Sequence, residues 1–254
     1  FLDHALSWQW VAQALKESWY IVAPDARGHG DSEWIGAGGD YAFGPYLADL
    51  DALLRYLGNR PVVLMGHSMG ASVVAYYAGV YPKNVKGIIT LEGLGPRDHP
   101  AKETSKHLEK YIRHMDYGFR NRVMAPFDSM EEAAKRLRRT DPLLSHERAI
   151  QLAKTRTKMT TDGLRWKFDP LHRAPMAAPF SVVRAIPIWN TITAPMLNIR
   201  GGKSPYISSD HQTRLEAVKD IREIVIPDAS HNLHTHADAQ VTAAITPFLD
   251  QLGQ

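Results

Sequence analysis

Five short apolar runs alternate along the chain with amphipathic segments, and each run is bounded by Pro, Gly or Asp. Their length and their content of branched residues are typical of buried strands. The runs cover residues 20–24, 62–66, 87–91, 196–200 and 222–226. Helical spacing of apolar residues marks the segments 5–16, 45–57, 69–80, 209–219 and 238–252. We therefore predict an α/β fold in which a mostly parallel sheet carries helices on both faces.

The middle of the chain follows a different pattern. From about Pro96 to Pro195 no run resembles a strand, and charged helical segments alternate with Pro-rich stretches such as 173–179. A length of 254 residues fits one large domain with an insertion. We expect residues 1–95 and 196–254 to form the core, and residues 96–195 to form an inserted helical cap.

Composition narrows the class of protein. Hydrophobic residues make up 44% and charged residues 22% of the chain, as in ordinary globular proteins, which excludes a disordered chain. No apolar run approaches the ~18 residues that a membrane span requires. The absence of cysteine excludes disulfides, thiolate metal sites and a cysteine nucleophile. We expect a soluble, cytoplasmic protein, although a secretion signal before Phe1 stays open.

Charge is distributed unevenly. Between Arg97 and Arg173 there are 18 basic and 11 acidic side chains, a net charge of +7. A run such as 135–139 favours nucleic-acid binding only weakly, because aromatic residues do not alternate with the charges. We interpret the run as a solvated helix face and expect no nucleic-acid partner. A basic rim that attracts anionic substrates is the lesser alternative. The oligomeric state stays open.

One motif carries chemistry. Gly66, His67, Ser68, Met69 and Gly70 follow an apolar run and open a helical segment. The pattern G-x-S-x-G between a strand and a helix is typical of a nucleophile elbow, in which the serine is strained and projects above the sheet. Side chains at positions 66 and 70 are expected to collide with the neighbouring strand and helix. The Met69 N–H can then face a developing oxyanion. The alternative is that Ser68 merely caps the helix.

Three stretches occur in an order that resembles the α/β-hydrolase superfamily: residues 24–32 (PDARGHGDS), the GHSMG motif and residues 230–234 (SHNLH). The resemblance covers the chain except for the cap. It implies an α/β-hydrolase fold, Ser68 as nucleophile, His231 as base and no cofactor. His234 and His236 are close enough in sequence to suggest a metal site, but no carboxylate cluster accompanies them, so we expect no metal.

The catalytic acid departs from the common pattern of the superfamily. Most members carry Asp or Glu after the penultimate strand, where this chain has Ser204 in the loop RGGKSPYIS (200–208). Glu92, at the end of the strand after the elbow helix, is the predicted acid. This arrangement resembles a subgroup of bacterial and mitochondrial esterases that hydrolyse short acyl esters and thioesters, although that subgroup usually has Asp at this place. The alternative is that Glu92 holds the elbow while Ser204, Asp210 or Asp228 assists the imidazole.

The resemblance also bears on the start of the chain. The second oxyanion donor of the superfamily follows a His-Gly pair that is absent here, and residues 1–4 resemble the stretch immediately after it. Phe1 is therefore the predicted second donor. In the superfamily a further strand lies between those predicted at 20–24 and 62–66. We expect an upstream segment of roughly two or three strands in the working protein, since central backbone groups otherwise stay unpaired.

A serine nucleophile argues against dehalogenase and epoxide hydrolase chemistry, which in this superfamily uses Asp. We expect a serine carboxylesterase that acts on small-molecule esters with short to medium acyl groups through an acyl-enzyme. Thioesterase, lactonase and perhydrolase activities use the same triad, and a non-catalytic ligand-binding protein of this fold is the alternative from another class. An apolar acyl pocket is predicted from four cap residues, which alternatively form only the cap core: Met124, Trp166, Phe168 and Trp189.

Overall fold

A four-stranded parallel sheet forms the centre of the computed structural model, which describes residues 1–36, 39–115 and 124–253. Strands in the described residues are β1 (Val62–His67), β2 (Val85–Leu91), β3 (Thr157–Thr160), β4 (Gly163–Trp166), β5 (Met196–Gly201) and β6 (Ile221–Ile226). The central sheet has the order β1-β2-β5-β6, and all its pairings are parallel. Four of the five predicted strands are thereby confirmed within two residues at each end.

Helices flank this sheet and also occur in residues 96–195, the segment that we expect to form a cap. The α-helices of the described residues are α1 (Gln9–Leu15), α2 (Gly44–Tyr56), α3 (Met69–Val80), α4 (Thr104–Met115), α5 (Met130–Thr140), α6 (His146–Arg156), α7 (Val182–Trp189), α8 (His211–Glu216), α9 (Leu233–His236) and α10 (Asp238–Gly253). None of them combines the length and the hydropathy that a bilayer span requires. The basic run 135–139 lies in α5, where most of its side chains are exposed as on a solvated helix face.

Alternation along the strands produces two apolar layers. Ile88 and Ile89 are both fully buried, yet they belong to different clusters on opposite faces of the sheet. Ile88 packs with residues of α2, α3 and α7, whereas Ile89 packs with residues of α1 and α10. Successive strand residues point to opposite faces, so a strand covered by helices on both sides needs apolar residues at every position. The predicted parallel sheet with helices on both faces is confirmed.

The predicted strand at 20–24 is not present. This segment has no regular secondary structure and no sheet partner among the described residues, and the side chain of Tyr20 is 91% exposed. It runs beside α1, where it lines a surface groove of about 460 Å³. A strand forms only when a neighbour takes up its backbone hydrogen bonds, and apolar composition alone does not supply one. The expected segment before Phe1 stays a prediction.

The cap contains a feature that the sequence pattern did not indicate. Strands β3 and β4 pair as an antiparallel hairpin, with Gly163 at a φ of 123° directly after the turn. Each strand has only four residues and β3 is largely polar, so neither produces a recognisable apolar run. The predicted absence of strands from 96–195 is therefore wrong. The hairpin packs with α5 and α6 around a separate apolar cluster.

The segment before β5 packs with the core. In α7, Ala185 and Trp189 are completely buried, and they share a cluster with Val74 of α3. Gly79 of α3 allows this approach, because a Cβ there would lie 2.2 Å from the carbonyl oxygen of Ile188. Close contact between α3 and α7 therefore anchors the end of the cap segment beside the elbow helix.

A buried polar contact joins the cap to the loop that precedes α2. Asp169 accepts a hydrogen bond from the Tyr41 hydroxyl at 2.8 Å and donates its own N–H to the Gly28 carbonyl at 2.8 Å. The His172 ring stacks between Tyr41, at 3.6 Å, and His29, at 4.0 Å between ring centroids. Burial, and secondly the nearby His29 imidazole, lowers the pKa of His172 to about 3. The cap is therefore attached through an imidazole that must remain neutral.

Replacing this imidazole by a ring that does not titrate should reduce the acid sensitivity of the fold. In the unfolded chain His172 has its ordinary pKa of 6.5 and binds a proton below that pH. In the folded chain its pKa is about 3, so it stays neutral until the pH approaches that value. The free energy of unfolding should thus fall with decreasing pH, by up to about 1.4 kcal/mol per pH unit from this group. We expect His172→Phe to flatten the dependence measured by urea unfolding between pH 7 and pH 4.5. His146→Phe, at a position exposed to water, is the control and should keep the wild-type slope; equal slopes in both variants would contradict the assignment.

Candidate active site

The strand-to-helix turn at Ser68 is sharp and strained. β1 ends at His67, α3 begins at Met69, and Ser68 between them has φ 52° and ψ −112°. A residue with a side chain rarely adopts such a conformation, so the surrounding structure must maintain it. The Ser68 N–H donates to the Leu91 carbonyl at 2.9 Å, which ties the turn to the end of β2. The Ser68 side chain is half-buried at the carboxyl edge of the sheet.

The two glycines of the motif have different roles. A Cβ at Gly66 would lie 2.3 Å from the Gly70 carbonyl oxygen and 2.6 Å from the Ala71 nitrogen, so only glycine fits there. At Gly70 a Cβ would meet nothing within 4 Å. The expected collision is confirmed at position 66 and is wrong at position 70, because the side chain at Gly70 would point away from the neighbouring elements.

Glu92 lies directly after β2, and its carboxylate meets the imidazole of His231. The Glu92 side chain is 4% exposed, and its Oε2 accepts from His231 Nδ1 at 2.9 Å. Its other oxygen, Oε1, accepts the Gly201 N–H at 2.6 Å. The Ser204 hydroxyl also donates to Oε2. Three donors therefore compensate the burial of this carboxylate, which without them would cost several kcal/mol.

The alternative partners of the imidazole are engaged elsewhere. Asp210 accepts from Arg214 and from the Ser208 hydroxyl. Asp228 is 88% exposed and pairs with Lys203. Ser204 occupies the position at which most members of the superfamily carry the acid, and its hydroxyl contacts the Glu92 carboxylate rather than the imidazole. The loop after β5 thus holds the Glu92 carboxylate, which follows the neighbouring strand β2.

His67 is a site residue that sequence analysis did not single out. Its Nε2–H donates to the His231 carbonyl oxygen at 2.8 Å, and the two rings are 4.8 Å apart. Burial, and secondly the neighbouring His234 and His231 imidazoles, holds the pKa of His67 well below its usual range. His67 is therefore a neutral donor that joins the elbow to the loop of the predicted base. Its place next to Ser68 in the motif was the available signal.

His234 belongs to a buried ionic cluster. Its Nε2 lies 3.4 Å from Asp3 Oδ2, and Asp3 pairs with Arg156 at 2.6 Å. Burial opposes ionisation of Asp3, but the Arg156 guanidinium and the hydrogen bonds from His234 and His4 keep its pKa well below the usual range. Since Arg156 ends α6 and His234 lies in α9, this cluster links α6 to the helix that follows His231.

His236 also has structural partners. Its Nδ1–H donates to Asp141 at 2.9 Å, and its Nε2 accepts the Ser230 N–H at 3.1 Å. The two contacts define the tautomer of His236 and hold the residue that precedes His231. Within the described parts of the chain, no group of three His, Asp or Glu side chains is arranged to hold a metal ion.

The predicted oxyanion donors belong to two separate chain segments, the start of α3 and the first residues of the given sequence. Met69 is the first residue of α3, where backbone N–H groups have no intrahelical acceptor. Phe1 precedes Leu2, which has a φ of 58° and donates its N–H to His29 Nε2 at 3.1 Å. Burial lowers the pKa of His29, in keeping with a neutral acceptor. The roles of Met69 and Phe1 stay predictions.

The four residues predicted to line an acyl pocket do not lie together. Trp166 and Phe168 are 8% exposed and belong to the cap cluster, against which the half-buried Met124 also packs. Trp189 has no accessible surface and lies in the core cluster beside α3. The expectation for Trp189 is therefore corrected, because an aromatic residue enclosed by the core offers no surface to a substrate.

Comparison with known proteins identifies the family of this chain. A family model described as alpha/beta hydrolase fold matches residues 1–237. The chain belongs to the α/β-hydrolase family. Membership confirms the superfamily and the fold class that the three sequence stretches predicted.

Relatives of this α/β hydrolase include several named hydrolases. A 3-hydroxybutyrate-oligomer hydrolase of Cupriavidus necator is 27% identical over 239 residues, which span 87% of this chain and 76% of that protein. A 2-(acetamidomethylene)succinate hydrolase of Mesorhizobium japonicum is 25% identical over 240 residues, 93% of this chain and 80% of that protein. A solved thioesterase domain from the curacin biosynthetic pathway has a TM-score of 0.85 and 26% identity, covering 97% of this chain and 88% of that one. These relatives support a hydrolase.

The two glycines of the elbow should differ in their tolerance of a methyl group. Gly66→Ala places a Cβ against backbone atoms that cannot move aside, and we expect it to cost about 1–3 kcal/mol or more and to abolish activity. Gly70→Ala meets no neighbour and replaces glycine in a helix, so it should be neutral or stabilising by about 0.5–1 kcal/mol. Thermal unfolding of the two variants beside the wild type measures this difference. Equal destabilisation by both substitutions would contradict it.

Proposed function

We propose that this α/β hydrolase is a serine hydrolase that cleaves carboxylic esters with short to medium acyl groups through an acyl-enzyme. The observation that carries the proposal is the 2.9 Å contact between Glu92 and His231, beside a strained turn that presents Ser68. The oxyanion site that the reaction needs is expected at the start of α3.

In the first half of the reaction, Ser68 Oγ attacks the ester carbonyl carbon while His231 Nε2 takes the hydroxyl proton. Glu92 holds the Nδ1–H, which selects the tautomer with a free Nε2 and stabilises the imidazolium that forms. The carbonyl oxygen becomes an oxyanion, to which the Met69 and Phe1 N–H groups donate. Collapse of the intermediate breaks the bond to the alcohol oxygen, which receives the proton from His231.

In the second half, water takes the place of the alcohol. His231 removes a proton from the water as its oxygen attacks the acyl carbon, and then returns a proton to Ser68 Oγ as the acid product leaves. Both halves pass through an oxyanion, so each donor N–H is expected to contribute about 10²–10³-fold in rate.

The proposed reaction requires a contact between Ser68 Oγ and His231 Nε2 in the reacting state. In the part of the chain that the structure describes, the Ser68 hydroxyl makes no hydrogen bond. Such contacts are often long without substrate and tighten when it binds. The position of His231 is nevertheless tied to the elbow, because His67 holds its carbonyl.

A ligand-binding protein without catalysis is the competing function. It would keep the fold and a binding site, but it would not need a buried carboxylate with donors on both oxygens next to an imidazole. Thioester cleavage by the same residues is the nearest catalytic alternative, since one structural relative is a thioesterase domain.

Labelling with a fluorophosphonate probe and turnover of p-nitrophenyl butyrate test the proposal directly. The wild-type protein should be labelled and should hydrolyse the ester, and Ser68→Ala should lose both because it lacks the nucleophile. Butyryl thioesters assayed in parallel separate ester from thioester preference. A wild-type protein that is folded, yet neither labelled nor active, would be a binding protein instead.

The choice of acid predicts a ranking among three substitutions. Glu92→Gln leaves one amide oxygen for three donors and turns an NH₂ group towards one of them, so we expect kcat to fall by about 10⁴-fold, as in other triads. Ser204→Ala removes one donor to Glu92 and should cost no more than about 10-fold. Asp228→Asn, on the surface, is the matched control and should retain full activity. Steady-state kinetics on one ester measures the order, and a larger loss in Asp228→Asn than in Glu92→Gln would refute the assignment.

A further inference from the structure

The Tyr206 ring lies against the imidazole of His231, the proposed catalytic base. Its ring lies edge-to-face with His231, with 4.5 Å between the ring centroids and 60° between the planes. The Tyr206 side chain is 71% exposed, although it contacts the base of the proposed triad. An aromatic ring with this exposure contributes little to the stability of the fold. Its position beside His231 suits contact with a substrate.

The acid determines where this tyrosine lies. Tyr206 is in the loop after β5, and its N–H donates to Ser204 Oγ at 3.4 Å. Ser204 in turn donates to Glu92, which also accepts the N–H of Gly201 at the end of β5, directly before this loop. The contacts that hold the carboxylate against His231 therefore also hold the loop that carries Tyr206, and the ring and the imidazole keep their mutual position.

A second apolar residue lies next to Tyr206 in the loop and is also exposed. The adjacent Ile207 is 47% exposed. Lys203, the nearest charged residue in the loop, pairs with Asp228 at 2.8 Å, and both lie at the surface. A leaving group beside Tyr206 would thus meet an aromatic and an aliphatic side chain.

The proton transfer locates the leaving group. In acylation His231 gives its proton to the departing alcohol oxygen, so the alcohol must lie against the imidazole at the moment of cleavage. A side chain that contacts this imidazole is then placed to border the alcohol. We propose that Tyr206 is the wall of the leaving-group site and makes the enzyme prefer esters of aromatic or extended apolar alcohols to esters of small alcohols. This inference rests on the proposed ester hydrolysis.

Esters that share one acyl group isolate the leaving-group site. Benzyl acetate and methyl acetate form the same acetyl-enzyme, so deacylation is common to both, and their kcat/KM values differ only through the alcohol. We expect Tyr206→Ala to lower the ratio of kcat/KM for benzyl acetate to that for methyl acetate by about 3- to 10-fold, the range expected for loss of one aromatic contact. Tyr206→Phe, which keeps the ring, should hold the ratio within 2-fold of the wild type.

Two controls distinguish a role of Tyr206 in the leaving-group site from a role in supporting His231. Tyr56→Ala removes another exposed tyrosine, 87% exposed at the end of α2, and should leave the ratio unchanged. Fluorophosphonate labelling releases fluoride, not an alcohol, so Tyr206→Ala should be labelled within about 3-fold of the wild-type rate.

If Tyr206→Ala is labelled normally and keeps the wild-type ratio of kcat/KM for the two acetates, the proposed role of Tyr206 is wrong. The proposed ester hydrolysis would be unaffected by that result. An equal loss on both esters together with slow labelling would show that Tyr206 supports His231, and would also overturn the wall. A wild-type protein that cleaves neither ester and is not labelled would remove the proposed function, and the inference with it.

Discussion

The site depends on the hydrogen bonds that the Glu92 carboxylate accepts. It comes from the end of β2, and it binds the end of β5 through Gly201, the following loop through Ser204, and the loop after β6 through His231. A buried carboxylate is expensive unless donors surround it, so these segments must all be in place before Glu92 is satisfied. The strained backbone of Glu92, with φ 63°, shows that the surrounding structure imposes this position.

Buried polar contacts join the predicted cap segment to residues next to the proposed base. Arg156 from the cap holds Asp3, Asp3 contacts His234, and the His234 ring lies 4.3 Å from that of His67. His67 then holds the His231 carbonyl. The placement of the proposed base therefore reflects the packing of the cap as well as that of the sheet. Neutral histidines suit this role, because each can donate from one nitrogen while the other is shielded from water.

The pattern of apolar residues predicted the strands of the central sheet correctly. Ile88 and Ile89 lie in a continuous apolar run because a central parallel strand is covered on both faces, and that pattern was visible in the sequence. The same kind of run at 20–24 formed no strand, because no neighbour pairs with it among the described residues. The hairpin in the cap was missed for the opposite reason, since its strands are short and pair locally despite a weak apolar pattern.

Four strands of the central sheet, five of the helices and the tight turn at Ser68 could be predicted from the sequence, because each depends on neighbours along the chain. The candidate acid and base were predicted from the resemblance of separate stretches to the superfamily. Three features could be learned only from the tertiary structure. Ser204 donates a hydrogen bond to Glu92, His67 donates one to the His231 carbonyl, and Trp189 is enclosed by the core. Those contacts join residues more than a hundred positions apart or depend on how helices pack on the sheet. Residues that are distant in sequence meet here because the loops at the carboxyl ends of parallel strands lie at the same edge of the sheet.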